Sequence, residues 1–361
     1  MSAMQFQPNF EKIKERMLAF WEGELIDRVM FYIEAPRKGV KKREVPAPPT
    51  PEERATNIDY QIESQLAHLE ATYYGADALP SIVASLGVTG FTQLLGAEVQ
   101  YNEHTTWTRP VIDDWESAEA DIRVDWQGER WKQLDKMMGS AAQAARGKCL
   151  VKIPALAHGL DGLADLRGME RLCEDLLDRP DTIHKAMRRM AALWAIVYET
   201  LWKTATALKA ELTDMLPLWC PGRFGTLQCD AMVMINGTMF RKFALPDIAQ
   251  CAGYLDRSMF HLDGKEATHH LDDLLALDAL DSIQFQQGSA WGVKSEPIAP
   301  FIPMLRKIQN AGKGVYLSVF PDELEFVMRE LSSKRLFIGT SAKTENEARE
   351  IEKLAAKWTH E

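Results

Sequence analysis

The chain has 361 residues and a net charge of −10, from 42 basic and 52 acidic side chains. That balance excludes a basic nucleic-acid-binding face, while 46% hydrophobic and 26% charged residues make an ordinary globular composition with a sizeable core. No apolar run reaches transmembrane length, the N-terminus lacks an apolar leader pattern, and five cysteines with no CxxC pair point to a reducing cytoplasm.

In chain order, Phe10, Ile13, Met17 and Phe20 share one helical face and predict a helix over Asn9 to Trp21. Asp27-Arg28 leads into a strand, Val29 to Ile33. Lys38 to Pro51 is basic and holds four prolines, which predicts a solvated loop. Glu52 to Tyr74 predicts a helix, Tyr73 to Asp77 a stop, and Leu79 to Leu86 a strand. Gly87 to Asp114 reads as an extension with strand character, and Trp115 to Arg146 as helical with a break near Gly128.

From there strands and helices alternate. Strands are predicted over Cys149–Pro154, Asp214–Leu218, Asp230–Ile235, Ser258–Leu262, Ser282–Gln286, Gly314–Ser318 and Leu336–Thr340, with helices between most of them. Alternation of short apolar strands with helices implies a parallel sheet. No glycine-rich phosphate loop follows the first strand, which argues against a doubly wound sheet. The expected architecture is α/β: a single distorted (β/α)8 TIM barrel over residues 1–361, with a helical segment at 1–28 and the barrel at 29–361.

In such a barrel the active site lies at the C-terminal strand ends. Ser258-Met259-Phe260-His261-Leu262-Asp263-Gly264 stands out there. Side chains two apart in a strand share a face, so His261 and Asp263 can face one cavity, and Gly264 permits the sharp exit. The same residues also fit a core histidine and a helix-capping aspartate. Other strand ends bring His158, then Trp219, Arg223 and Phe224, then Cys229 and Asp230, then Gln287 and Trp291. Trp219 and Trp291 also fit a barrel cap, and Cys229 a buried small hydrophobe. Arg223 fits either a carboxylate clamp or a partner of a surface acid.

Several stretches resemble the uroporphyrinogen decarboxylase superfamily. Asn236-Gly237-Thr238-Met239-Phe240-Arg241-Lys242-Phe243-Ala244-Leu245-Pro246 is similar to its "SPxMFxEFxLP" segment, and Phe260 to Gly264 to its "HxCG" or "HxDG" strand end. Arg167-Gly168 through His184 resembles its "RG…DLxxxPExVH" pattern, Leu336 to Ala348 its closing "TSxxTxxEA" segment, and Asp27-Arg28-Val29 its approach to strand one. The resemblance implies a distorted TIM barrel and two chemistries. The decarboxylase branch uses a paired-arginine motif, which the segment from Asn9 to Gly39 lacks.

The other branch comprises corrinoid (cobalamin)-dependent methyltransferases. Many of these hold zinc through His-x-Cys and a later Cys; here Asp263 stands in the place of the first Cys and Thr340-Ser341 in the place of the last. The resemblance therefore implies a methyltransferase that moves a methyl group from a small methylated donor, of methoxyarene or methylamine type, to a corrinoid carried by a partner protein. It implies His261, Asp263 and Asp230 as catalytic residues. It implies Trp219, Arg223, Phe224, Gln287, Trp291 and His158 around the substrate. Zinc on His261, Asp263 and Cys229 and a homodimer are further expectations, and the chain has no room for a corrinoid domain of its own. A uroporphyrinogen-type decarboxylase and a non-catalytic tetrapyrrole-binding protein are the alternatives.

Overall fold

The computed structural model describes residues 4–118, 122–288 and 296–360. Twelve strands form among them: β1 (Met30–Pro36), β2 (Thr72–Ala76), β3 (Ser81–Ile82), β4 (Glu98–Tyr101), β5 (Thr106–Arg109), β6 (Leu150–Lys152), β7 (Leu212–Thr213), β8 (Phe224–Leu227), β9 (Arg257–Asp263), β10 (Ser282–Gln286), β11 (Gly314–Ser318) and β12 (Leu336–Ser341). They make a seven-stranded sheet in the order β2-β1-β12-β11-β10-β9-β8, a three-stranded sheet β3-β6-β7, and the hairpin β4-β5. All pairings in the two larger sheets are parallel except β1 with β2. No helix among the described residues is long and apolar enough to cross a membrane.

The expected single closed barrel ladder is not formed among the described residues. The two sheets are separate, because β3 and β7 are two residues long and leave ladder donors open. Two carboxylates take up such donors at the gaps. Asp77, fully buried, accepts from the Phe31 N–H at 3.0 Å and is held by Arg16 at 2.9 Å and by Arg28. Asp214 accepts from the Thr226 N–H of β8 at 2.6 Å. A buried N–H without a partner is costly, so an acid at each gap replaces the missing strand neighbour.

Two elements differ from the expected ones. The strand expected at Asp214–Leu218 is β7, which ends at Thr213. Asp230–Met234, expected as a strand, is a 3-10 turn. The cause is non-local: the Asp161 carboxylate accepts from the Asp230 and Ala231 N–H groups, both at 2.8 Å, and caps that turn. The chain also returns from β7 to β8 with no helix between.

The first helix, Phe10–Glu22, buries Phe10, Ile13, Met17, Phe20 and Trp21. Those side chains pack on Met30, Leu150, Trp219, Phe224, Met259 and Phe337, residues close to the strand starts. Trp21 Nε1 donates to the Trp219 carbonyl at 2.9 Å. The N-terminal end of the strands is therefore sealed by apolar packing. The C-terminal end is left to polar residues.

Candidate functional site

Residues two apart along a strand share a face, so each strand can be followed from the sealed end toward the open one. In β1 the step runs Met30, Tyr32, Glu34; in β9, Met259, His261, Asp263. In β8 it runs Phe224, Thr226, Gln228, and in β12, Phe337, Gly339, Ser341. The same face thus changes from apolar to polar along the strand, the gradient of a site built over a packed floor.

Two cavities open at the polar end. One, of about 580 Å³, is walled by the segment Ile153–His158 after β6, by Trp194 and Tyr198, and by Asp214, Thr226 and Gln228. The other, of about 1010 Å³, is walled by Tyr32, Glu34, Gln286, Gln287, Tyr316, Ser318, Phe320 and Ser341, among others. Tyr32 and Tyr316 stack there with ring centroids 5.6 Å apart.

Charged groups stand in and between these walls. Lys152, on β6, donates to the Met215 carbonyl at 3.1 Å. Burial pulls its pKa down, against the pull of Asp214 and Glu34. Burial pushes the Glu34 carboxyl up, against Lys152. Asp214 is pushed up to about 6 by burial, in spite of its two backbone N–H bonds and Lys152. Sequence reading missed all three. The usable signal was a charged residue inside an apolar strand, as in Phe31-Tyr32-Ile33-Glu34 and Leu150-Val151-Lys152-Ile153.

His261 and Asp263 lie on β9 as expected. His261 is half-buried, Asp263 is exposed, and neither belongs to the wall of either cavity. The His261 Nδ1 faces Oε1 of Gln284, its register partner on β10. Asp230 lies near both: its carboxyl is raised by burial and by Asp263 and lowered by His261. Asp161 is pushed up to about 6 by burial and by Asp230, against its backbone bonds and His158. His261, Asp263, Asp230 and Asp161 therefore form one electrostatic neighbourhood.

Cys229 does not join them as a ligand. It is buried, and burial, with Asp161, Asp247 and Asp230 nearby, holds its thiol well above its ordinary pKa. Among the described residues, the group of three His, Cys, Asp or Glu side chains whose ligand atoms lie within 4.8 Å of one another is His158, Asp247 and Cys251. His158 Nδ1 donates to Asp247 Oδ2 at 2.7 Å and lies 3.7 Å from Cys251 Sγ.

Three other expected substrate residues stand at the opposite end. Trp219 packs edge-on against Phe10, and Phe224 packs tilted against Trp21. Arg223 pairs with Glu199 at 2.8 Å, over the Trp202 and Tyr254 rings. Without a helix between β7 and β8, the chain has already returned to the strand starts at these residues. Gln287 and His158 wall the two cavities, and Trp291 lies outside the described residues.

The fold has a known counterpart. It is similar to that of a methyltransferase from Methanosarcina mazei, with a TM-score of 0.58 over 95% of this chain and 96% of that one, at 13% identity. At that identity the likeness carries the fold and not the chemistry. No protein-family model matches the sequence, and no curated protein does.

Proposed function

We propose that this chain is a methyltransferase that takes a methyl group from a small methylated donor at the C-terminal strand ends and delivers it to a corrinoid held by a separate protein. The two sheets are read as arcs of one barrel, with the cavities as its mouth. The observation that carries the reading is the cavity pair over a sealed apolar floor, with Glu34 and Asp214 in its walls and the group of His261, Asp230 and Asp161 outside them. The fold shared with a methyltransferase over nearly the whole chain supports it.

Breaking a C–N or C–O bond heterolytically leaves the electron pair on the heteroatom, which must take a proton to leave well. For a methoxyarene or a neutral amine His261 would give that proton, with Asp230 beside it; a donor bound as its ammonium already carries it. The corrinoid, when docked, would supply the nucleophilic electron pair and accept the methyl group. Among the described residues of the two walls and between them, the carboxylates Glu34 and Asp214 outnumber the lysine Lys152, and Tyr32 and Tyr316 offer stacked aromatic faces. Both features favour a cationic donor of methylamine type over a neutral methoxyarene. A porphyrin-like polyacid needs the reverse charge, which disfavours the decarboxylase reading.

Zinc on His261, Asp263 and Cys229 does not fit. These three do not form a ligand-spaced group among the described residues. A zinc site needs deprotonated ligands converging at bonding distance.

The test is methyl transfer to added cob(I)alamin, followed by its absorption spectrum, with methylamines and methoxyarenes as donors. The expected result is turnover with an ammonium donor and, for a methoxyarene donor that reacts, a loss of about 10²-fold or more in His261→Asn. No transfer from any donor, with loss of CO2 from a carboxylated tetrapyrrole instead, would replace this reading with the decarboxylase.

A further inference from the structure

The group formed by His158, Asp247 and Cys251 has no part in the reaction proposed above. His158 ends the segment that follows β6 and walls the smaller cavity. Asp247 and Cys251 lie on the helix Leu245–Tyr254, four residues apart, so one helical face carries both. All three are buried, at 4%, 6% and 1% exposure. Gly159 lets the carboxylate approach: a Cβ there would lie 2.5 Å from Asp247 Oδ2, and the residue has a φ of +59°.

As a hydrogen-bonded pair the arrangement is incomplete. Asp247 Oδ1 is buried and has no hydrogen-bond partner. Such an orphaned oxygen is costly, and a cation would remove that cost. The spacing suits one. In a tetrahedral zinc site an imidazole nitrogen and a thiolate sulfur are about 3.5 Å apart, from bond lengths near 2.0 and 2.3 Å; here Nδ1 and Sγ are 3.7 Å apart. The Nδ1–Oδ2 distance of 2.7 Å is that of a hydrogen bond. It must open by about half an ångström, or the free Oδ1 must turn in.

We infer that His158, Asp247 and Cys251 bind one divalent transition-metal ion through Nδ1, a carboxylate oxygen and the thiolate. Three protein ligands leave a fourth tetrahedral position for water or a ligand from the smaller cavity. Imidazole, thiolate and carboxylate together suit Zn2+ or Co2+ and do not suit Mg2+ or Ca2+. On binding, the ion replaces the Nδ1 proton in the Asp247 bond and the Cys251 thiol proton, and both protons go to solvent. No redox partner is needed. The site stands or falls independently of methyl transfer.

The experiment is a Co2+ titration of the chelator-treated full chain. The expected result is one equivalent bound, with a thiolate-to-cobalt charge-transfer band in the near ultraviolet and proton release into weak buffer. The band should vanish in Cys251→Ser. Affinity should fall by about tenfold or more in Asp247→Asn and stay unchanged in His261→Asn. Binding without a sulfur band, a band that survives in Cys251→Ser, or no binding would overturn the inference. Should Cys251→Ser fail to fold, X-ray absorption at cobalt in the unaltered chain decides. One sulfur with nitrogen and oxygen neighbours supports the site, and a sulfur-free shell overturns it.

Discussion

The side chains of His158 and Asp247, 89 residues apart in the chain, meet at 2.7 Å in a buried contact. Burial opposes protonation of His158, and Cys251 and Asp247 outweigh it and hold the imidazole pKa well above its ordinary value. Asp247→Leu removes the partner and leaves a buried polar ring without one. In metal-free protein the change should cost roughly 3–5 kcal/mol of unfolding free energy, as for other broken buried pairs. Urea denaturation with chelator present measures it, and a cost under about 1 kcal/mol would show that the contact contributes little.

Asp214 gives stability a pH dependence of known sign. Its folded pKa is about 6, against an ordinary 3.8, so the folded chain binds the extra proton between those values. Its contribution is fully present below about pH 4 and is lost as pH rises through about 6. The difference corresponds to roughly 3 kcal/mol at most. The unfolding free energy of the unaltered protein should therefore fall across that window relative to Asp214→Asn. Equal slopes for the two proteins would refute the assignment.

Gly339 faces Tyr32 across the β1–β12 ladder. A Cβ at this position would lie 2.0 Å from the Tyr32 ring. Gly339→Ala must push that ring off its stack with Tyr316 and into the larger cavity. The expected cost is about 1–3 kcal/mol, with a change in the near-ultraviolet circular dichroism of tyrosine. An unchanged spectrum would show that the ring does not move.

Arg223 separates the two ends of the strands. With its guanidinium paired to Glu199 and over two aromatic rings, Arg223→Ala should lower stability by about 1 kcal/mol. It should leave methyl transfer within about twofold, since the mouth is at the far end. A loss of activity without a loss of stability would return Arg223 to the substrate.

Much of the architecture was legible in the residues. β9 to β12 and the helices among them lie close to where apolar runs bounded by turn residues put them, because local pattern and tertiary burial agree there. Asn236 caps the helical turn that opens at Gly237, accepting from the Met239 N–H at 3.0 Å, a local signal of the usual kind. The signal failed where a distant side chain decides. Asp230–Met234 is apolar enough for a strand, yet Asp161 draws it into a turn. Trp219, Arg223 and Phe224 read as a strand end because β7 was placed too late, and the direct return to β8 leaves no local mark.

The sequence by itself determined an α/β chain with parallel strands, an amphipathic first helix and polar residues collected at strand ends. Each of these follows from hydrophobic periodicity, which acts over a few residues. Only the tertiary structure decided which strand ends share a mouth and which lie against the first helix. It also decided that Asp77 and Asp214 bridge the sheet gaps, and that Glu34 and Asp214 each stand close enough to Lys152 to shift its protonation and be shifted by it. The meeting of His158 with Asp247 and Cys251 is of the same kind. Burial and charge coupling depend on distance in space, and strand pairing brings together groups whose separation in the chain carries no record of it.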